Sequence, residues 1–202
     1  MGKTLSQQKR PGIEQQRQAI LEAAVALFSV TGAAAVSVSA ISKQAGVSRD
    51  TFYRCYDNKD QLVDALYEQS VSNKMLALTA APDTDFADPV WLRQAIESMV
   101  DDILAEHQAA RFLFLEAADP SSHAHQVIEG ALNQVSADMQ RWCKSHYGSA
   151  PSRDCFMGLL SAAQWLVQRA ITNGMRKRDI RDAKTAIEEL FAATFLGLSS
   201  ET

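Results

Sequence analysis

Residues 36–62 read VSVSAISKQAGVSRDTFYRCYDNKDQL, and this stretch decides the fold of the N-terminal part of the chain. Ser37 is a residue type that caps helices, and apolar residues follow it at helical spacing. Gly46 permits the positive φ of a tight turn, and Ser48 caps a second helix whose Phe52 faces inward. The spacing therefore predicts a helix-turn-helix.

The second helix of this pair leaves cations, hydroxyls and an aromatic ring available on its outer side. These residues are Arg49, Asp50, Thr51, Tyr53 and Arg54. Such a mixture reads base edges and holds phosphates in the major groove of double-stranded DNA. The carboxylate of Asp50 opposes phosphate binding, although it is able to accept a hydrogen bond from a cytosine amino group. Asn58-Lys59-Asp60-Gln61 resembles a capping box, with Lys59 near the positive end of the next helix.

Charge is divided unevenly along the chain. The 202 residues carry 20 Lys and Arg against 24 Asp and Glu, a formal net charge of −4. Residues 1–60 hold eight basic and five acidic residues, so the rest of the chain carries the negative excess. Because phosphate binding depends on local charge, a basic end on an acidic body indicates a small DNA-facing module attached to a part with another task. A chance fluctuation in composition stays open on this observation alone.

The composition is that of an ordinary soluble chain, with 47% hydrophobic residues and a mean hydropathy of −0.16. Its longest uncharged apolar stretch is far shorter than the ~20 residues of a membrane span. The polar start of the chain lacks the apolar core of a signal peptide. Cys55, Cys143 and Cys155 form no C-x-x-C pair, which argues against a zinc ribbon or a disulfide framework. We expect a cytoplasmic protein with no membrane partner.

Helical periodicity runs through the chain and predicts an all-α fold of about nine helices. Residues 1–12 are polar and end in Pro-Gly, which indicates a flexible basic tail. We expect a helix-turn-helix DNA-binding domain at 13–58 and a second helical domain at 59–202, with a linker at 81–89. The first predicted helix begins at Ile13 and ends at Gly32, and the others cover residues 37–45, 48–55, 59–80, 90–106, 109–117, 122–147, 153–175 and 181–198.

Three motifs in the N-terminal part are shared with a known family. They are A-x-x-L-F-x-x-x-G at 24–32, A-G-V-S at 45–48 and T-F-Y-R-C-Y-D-N-K-D-Q-L at 51–62. In this combination, residues 20–62 resemble the DNA-binding domain of the tetracycline-repressor (TetR) family of transcriptional regulators. The resemblance implies a sequence-specific DNA-binding regulator, by family default a repressor, that works as a homodimer. It also implies a variable C-terminal domain that binds a small inducer.

The resemblance further implies roles for single residues. Phosphate contacts fall to Ser37, Thr51, Tyr53 and Lys59, and groove contacts to Ser48, Arg49 and Arg54. Two positions depart from the family pattern. Cys55 stands where the family usually has Tyr or His, which removes a DNA contact, and Tyr56 replaces the usual Phe, which adds a hydroxyl to a packing residue.

The last two predicted helices carry more apolar residues than the interior of one protomer requires. Two such helices that meet their symmetry mates form a four-helix bundle, and the resulting dimer sets two recognition helices about one DNA turn, ~34 Å, apart. A fully buried monomer core is the alternative. The candidate interface residues are Leu159, Ala162, Leu166, Phe191 and Phe195.

Residues 91–165 are the candidate segment for a ligand cavity. An apolar or aromatic effector is favoured over a sugar phosphate, because the segment contains no glycine-rich phosphate loop. Aromatic and Met residues at helical spacing are also what a plain core contains. The candidate apolar lining is Met99, Phe112, Phe114, Trp142 and Trp165, with His107, Glu116 and Gln164 as polar anchors.

Two other classes of function stay open. An enzyme would use His123-x-His125 or Cys143-x-x-His146 as metal ligands, but neither pair has an acidic partner or a second pair at ligand spacing. G-x-S-x-G, H-E-x-x-H and Walker motifs are missing from the sequence, so we expect no catalysis, no metal and no cofactor. The other class is a helical partner-binding module whose helix-turn-helix has lost DNA affinity.

Overall fold

A computed structural model of the chain describes residues 12–72 and 84–195. Within these ranges it contains nine α-helices and one π-helical turn, and no strand, which confirms the predicted fold class. None of the described helices is long and apolar enough to cross a membrane. The predicted tail lies outside the described residues except for Gly12. Residues 81–83, the start of the predicted linker, also lie outside them.

The chain divides into two compact units, Met1–Leu62 and Val63–Thr202, which we call the first and the second unit. The first unit contains α1 (Ile13–Thr31), α2 (Val38–Gln44), α3 (Arg49–Cys55) and the start of α4 (Lys59–Tyr67). The sequence placed the boundary after residue 58, whereas the division falls inside α4.

The three helices α1, α2 and α3 pack against one another in the first unit. Their core consists of apolar residues from each helix, and α1 contributes most of them. The α1 prediction holds for its centre, but Ile13 is exposed and Leu27 is only half-buried. The buried residues are Ile20, Leu21, Ala23, Ala24, Phe28, Val36, Ile41, Phe52, Cys55, Tyr56 and Leu62.

Local chemistry fixes where these helices begin and end. Gly32 ends α1 at φ 77°, and Gly46 makes the turn between α2 and α3 at φ 67°, a conformation that side chains with a Cβ rarely adopt. The Ser37 hydroxyl accepts a hydrogen bond from the Ala40 N–H at 3.1 Å and caps α2. Ser48 caps α3. These predictions of turn and caps are confirmed.

The predicted capping box at the start of α4 is half correct. Asn58 Oδ1 accepts from the Gln61 N–H at 2.9 Å, as expected for a cap. The return bond does not go to Asn58, because Gln61 Oε1 accepts from the Asp57 N–H at 2.9 Å instead. The Gln61 amide also donates to the Asp57 carboxylate at 3.0 Å, so Asp57 is tied on both its backbone and its side chain.

The second unit holds the remaining helices. After α4 comes a π-helical turn, Glu68–Ser72, and then α5 (Pro89–Ala105), α6 (His107–Glu116), α7 (His123–Tyr147), α8 (Arg153–Thr172) and α9 (Lys177–Phe195). Helix α8 is central, since it packs against α6, α7 and α9, while α9 also packs against α5.

Three helix ends differ from the sequence prediction. The predicted helix at 59–80 is α-helical only to Tyr67, and its residues beyond 72 lie outside the described ranges. Helix α8 ends at Thr172 rather than 175, because Gly174 and Met175 adopt positive φ values of 84° and 55°. Helix α9 begins at Lys177 rather than 181, and its predicted end at 198 lies beyond the described residues.

Phe86 anchors the segment before α5 in the core of the second unit. Its ring stacks on Phe195 with the centroids 4.9 Å apart, and it meets Trp91 and Trp142 edge-on at 5.3 and 5.1 Å. Such aromatic pairs add to the free energy of burial. The segment that the sequence indicated as a linker therefore ends in a buried residue.

Candidate nucleic-acid interface and internal cavity

Helix α3 has two chemically distinct sides. Phe52 and Cys55 are buried against the rest of the first unit, whereas Arg49, Tyr53 and Arg54 are exposed. Asp50 is exposed beside Arg49. The helix therefore presents two cations, a phenol and a carboxylate to solvent, which are the side-chain types that contact base edges and phosphates.

The serine and threonine hydroxyls predicted to contact DNA lie at helix starts. Ser48 Oγ accepts from the Thr51 N–H at 3.0 Å and lies 2.9 Å from Thr51 Oγ1, so these two hydroxyls form one pair. Ser37 caps α2 through its oxygen. Because a hydroxyl that accepts a hydrogen bond keeps its own hydrogen, Ser37 remains able to donate to a phosphate oxygen.

Two exposed side chains of α3 are held by neighbours within the first unit. The Arg54 guanidinium donates to Gln16 Oε1 at 2.7 Å, which ties α3 to α1. The Tyr53 ring meets the Phe52 ring edge-on at 5.4 Å and is 48% exposed. A guanidinium has five N–H donors, so Arg54 retains others for DNA.

Lys59 is more than a cation near a helix start. It is half-buried, and its ammonium donates to the carbonyl oxygens of Ala33 and Val36 at 2.7 and 2.8 Å. These bonds fasten α4 to the segment between α1 and α2. An ammonium has three N–H donors, so one remains for the phosphate contact that the resemblance implies.

Sequence reasoning missed Arg17, which organises the end of α3 from α1. Its guanidinium lies 4.4 Å from the centroid of the Tyr56 ring and donates to the carbonyl oxygen of Cys55. Burial raises the pKa of Tyr56, and the positive charge of Arg17 opposes that rise. The signal for Arg17 was its place three and four residues before Ile20 and Leu21, on the buried side of α1.

The two departures from the family pattern have different structural consequences. Cys55 is buried, with only 4% of its surface exposed, so it offers no group to DNA. Tyr56 is a packing residue, as predicted, and its added hydroxyl donates to the Arg17 carbonyl oxygen at 3.4 Å.

Comparison with known proteins agrees with this geometry. Residues 20–66 match the family model described as bacterial regulatory proteins, tetR family. That range covers the centre of α1, the helix-turn-helix and nearly all of α4. Residues 20–66 are therefore a DNA-binding domain of the TetR family.

Solved structures of low sequence identity share the fold of this chain. The fatty acid degradation regulator FadR from Bacillus halodurans is 19% identical, with a TM-score of 0.69 over 91% of this chain and 97% of its own. NalD from Pseudomonas aeruginosa, the secondary repressor of the MexAB-OprM multidrug efflux pump, is 22% identical, with a TM-score of 0.64 over 94% and 100%. A TetR-family regulator from Streptomyces coelicolor is 21% identical, with a TM-score of 0.55 over 89% and 99%.

The second unit contains an apolar cavity. The volume of this cavity is about 60 Å³. Every helix from α4 to α9 contributes to its wall, together with Phe86. The lining residues are Tyr67, Phe86, Met99, Ile103, Phe114, Ile128, Leu132, Val135, Met139, Leu160, Ala163, Gln164, Val167, Ile187 and Phe191.

The structure brings only part of the predicted ligand set to this cavity. Met99, Phe114 and Gln164 line it. Phe112 is buried but does not line the cavity, and His107 and Glu116 are half-buried outside its wall. These three side chains lie outside the wall because α6 turns only Phe114 toward the cavity, and a ligand contact at each of them stays a prediction.

The two tryptophans in the predicted ligand set lie elsewhere. Trp142 packs edge-on against Phe86 and stacks on His146 with the centroids 4.1 Å apart, so it supports the cavity wall from outside. Trp165 is 56% exposed and carries the Arg169 guanidinium 4.9 Å above its ring. The predicted segment also stopped too early, since Ile187 and Phe191 of α9 complete the wall.

The predicted dimer residues are, with one exception, part of the interior of the single chain. Leu159, Leu166, Phe191 and Phe195 are all more than nine-tenths buried in the core of the second unit. Both apolar stripes of α8 are covered because that helix packs against α6, α7 and α9. Only Ala162 is partly exposed. The alternative of a buried monomer core therefore holds for these four residues.

The candidate metal pairs have other partners. His123 Nε2 lies 2.8 Å from the Asp64 carboxylate, and His125 Nδ1 lies 2.7 Å from the carbonyl oxygen of Ala117. Cys143 is buried, and burial raises its pKa to about 12. Over residues 12–72 and 84–195, no three His, Cys, Asp or Glu side chains form a group suited to a metal ion.

Proposed function

We propose that this TetR-family regulator is a ligand-responsive repressor that binds a palindromic operator as a homodimer. The observation that carries the proposal is the contrast between the polar outer side of α3 in a basic unit and an apolar cavity in an acidic one. The named relatives, a degradation regulator and an efflux-pump repressor, support a regulatory role of this kind.

The DNA contacts divide by chemistry. Arg49 and Arg54 are the base-reading candidates, because a guanidinium pairs with guanine in the major groove. Phosphate oxygens suit four donors, the hydroxyls of Ser37, Thr51 and Tyr53 and the remaining N–H of Lys59. Ser48 directly precedes Arg49 and is proposed to contact the groove beside it. Asp50 limits which base is accepted beside Arg49.

The dimer surface that we propose differs from the predicted one. Helices α8 and α9 each expose an apolar residue, since Trp165 is 56% and Leu190 is 40% exposed. Gly158 and Ala162 share the outer side of α8 with Trp165 at helical spacing, and small residues allow close approach of a second helix. A symmetric pairing of these faces forms a four-helix bundle.

The effector is proposed to be a small apolar molecule in the cavity. A ligand that binds one shape of the second unit more tightly shifts the population toward that shape. Because α4 continues from one unit into the next, a displacement of α4 by the ligand is the route by which we expect the spacing of the two recognition helices to change. Repression requires only that the bound dimer blocks polymerase.

Two further points belong to the proposal. Family membership favours a regulator over an enzyme. Operator DNA places the working protein in the cytoplasm. A helical partner-binding module is the rival function, supported by the carboxylate of Asp50 and the loss of a contact at Cys55.

Light scattering and DNA titration test the proposal together. The purified chain is expected to be a dimer at micromolar concentration, and its affinity for duplex DNA is expected to fall steeply with salt, with a log–log slope of about −0.9 per phosphate neutralised. A persistent monomer contradicts the dimer. A flat salt dependence, or no binding, favours the partner-binding module.

A further inference from the structure

The wall of the internal cavity has an unusual balance of chemistry. Among the described residues that line it, none is Asp, Glu, Lys, Arg or His. An ion that enters such a space loses its hydration and meets no opposite charge. The free energy of its transfer from water is therefore far less favourable than that of an apolar molecule. The cavity therefore selects against charged compounds.

Two polar groups interrupt the apolar wall, the phenol of Tyr67 and the amide of Gln164. Only 6% of the surface of Tyr67 is exposed. Burial raises the pKa of Tyr67 to about 12, so its hydroxyl stays protonated at neutral pH. Gln164 is half-buried. A ligand hydroxyl that reaches the phenol or the amide forms a hydrogen bond there and gains affinity.

The size of the cavity limits the ligand. A site for one water needs about 10–15 Å³ of such volume, so 60 Å³ corresponds to a few waters. An apolar cavity that takes up benzene measures about 150 Å³, so a ring compound requires this smaller cavity to widen. Met99 and Met139 are flexible lining residues that adapt the wall to a ring's outline.

Gln164 also lies at the boundary between the cavity and a depression on the surface of α7 and α8. Both spaces share the lining residues Ile128, Leu132 and Gln164. Trp165 lines the depression but not the cavity. A molecule that passes from the surface to the interior meets the Gln164 amide at this boundary.

We propose that the cavity takes a compact, uncharged ring compound with one hydroxyl group, which enters from the α7–α8 depression, and that Gln164 and Tyr67 supply the hydrogen bonds to that hydroxyl. The inference rests on the proposed function, because it names the class of effector for that same site. Gln164 is on this account the residue that separates hydroxylated from plain ring compounds.

Calorimetric titration of the full chain with three probes of one shape tests this. The probes are 4-methylphenol, p-xylene and 4-methylbenzoate, which place a hydroxyl, a methyl or a carboxylate on the same ring. We expect 4-methylphenol to bind about tenfold more tightly than p-xylene, since a net hydrogen bond contributes about 0.5–1.5 kcal/mol. We expect no detectable binding of 4-methylbenzoate.

The matched variants are Gln164→Leu and Gln168→Leu. Gln164→Leu is expected to remove the preference for 4-methylphenol while p-xylene still binds. Gln168 lies one turn further on α8 and lines the depression but not the cavity, so its variant is expected to keep the preference. Tyr67→Phe removes a single oxygen and is expected to weaken 4-methylphenol alone, which keeps the test decisive if Gln164→Leu does not fold.

Several results would overturn the inference. They are equal binding of 4-methylphenol and p-xylene, binding of 4-methylbenzoate, no binding of any probe, or an unchanged preference in both Gln164→Leu and Tyr67→Phe. DNA binding without probe, measured on the same samples, separates the two levels. Retained salt-dependent DNA binding with failed probes overturns this inference alone, whereas lost DNA binding in the wild-type chain overturns the proposed function.

Discussion

The two units place their functional residues in opposite ways. In the first unit the candidate site is the outer side of α3, a helix of seven residues, which a few neighbours such as Gln16 and Arg17 of α1 hold in place. In the second unit the candidate site is an interior wall to which every helix from α4 to α9 contributes. A surface site of the first kind depends on spacing within one segment, whereas an interior site depends on how distant segments pack.

The units also differ in charge. The first is basic and the second acidic, so the same chain attracts DNA phosphates at one end and not at the other. All three tryptophans, Trp91, Trp142 and Trp165, lie in the second unit. Tryptophan fluorescence therefore reports on the second unit alone, and far-ultraviolet circular dichroism reports on both.

The largest effect that we expect comes from Phe52→Ala. Phe52 is fully buried in the first unit, so its truncation is expected to cost about 3–5 kcal/mol of stability there. On heating, part of the helical dichroism is expected to disappear before the tryptophan fluorescence changes, and DNA binding is expected to be lost with it.

Phe112→Ala is the matched control in the second unit, where Phe112 is 2% exposed. It is expected to lower the unfolding temperature seen by tryptophan fluorescence. If both variants shift the dichroism and the fluorescence together, the two units do not unfold separately and the comparison fails.

Lys59→Met tests whether the ammonium is a clamp. Its loss removes the donor to the Val36 carbonyl oxygen and one of two donors to that of Ala33, which keeps the Val36 N–H at 3.3 Å. This is expected to cost about 1–3 kcal/mol of first-unit stability. Thermal unfolding followed by circular dichroism measures this. Lys43→Met, at an exposed lysine of α2, is the control and is expected to change stability little. A Lys59→Met unfolding curve identical to that of the control would show that the clamp contributes nothing.

Arg49→Ala tests base reading on the outer side of α3. The variant is expected to lose about 1–3 kcal/mol of binding to its own operator and less to random DNA. Fluorescence anisotropy with the two duplexes measures both losses. Arg178→Ala, at an exposed arginine of α9 that pairs with Asp182, removes the same charge from the second unit and is expected to leave both affinities unchanged. Equal losses on both duplexes would make Arg49 a phosphate contact.

The smallest effect compares two serine caps. Ser48 caps α3 by accepting from Thr51 at 3.0 Å, and Ser152 caps α8 by accepting from Cys155 at 3.1 Å. Each Ser→Ala change is expected to cost about 1 kcal/mol of stability, seen by chemical unfolding. Only Ser48→Ala is expected to weaken DNA binding as well. A similar loss of DNA binding in Ser152→Ala would break the distinction between the units.

What the sequence could predict follows the same division. The caps at Ser37 and Ser48, the turn at Gly46 and the inward Phe52 were all predictable, because each depends on residues a few positions apart. The two hydrogen bonds from Lys59 to the α1–α2 segment were not predictable. Their acceptors lie 26 and 23 residues away and are backbone oxygens, which any residue type carries.

The cavity and the dimer surface were harder to predict. Met99, Phe114 and Gln164 were found, but periodicity shows only that a residue is on an apolar side and not which neighbour covers that side. Leu159 and Leu166 follow helical spacing as an interface would, yet both are covered by helices of their own chain. The sequence around Trp165 does not show whether its side chain is exposed or buried.

The central claim is that the outer side of α3 reads a DNA sequence in a symmetric pair. Selection of bound sequences from a random duplex library, with the purified full chain and at several salt concentrations, tests it most directly. We expect an enriched inverted repeat whose half-sites lie about one helical turn, ~10 base pairs, apart. If no sequence is enriched by the folded protein, even after denaturation and refolding to remove bound ligand, the claim is contradicted.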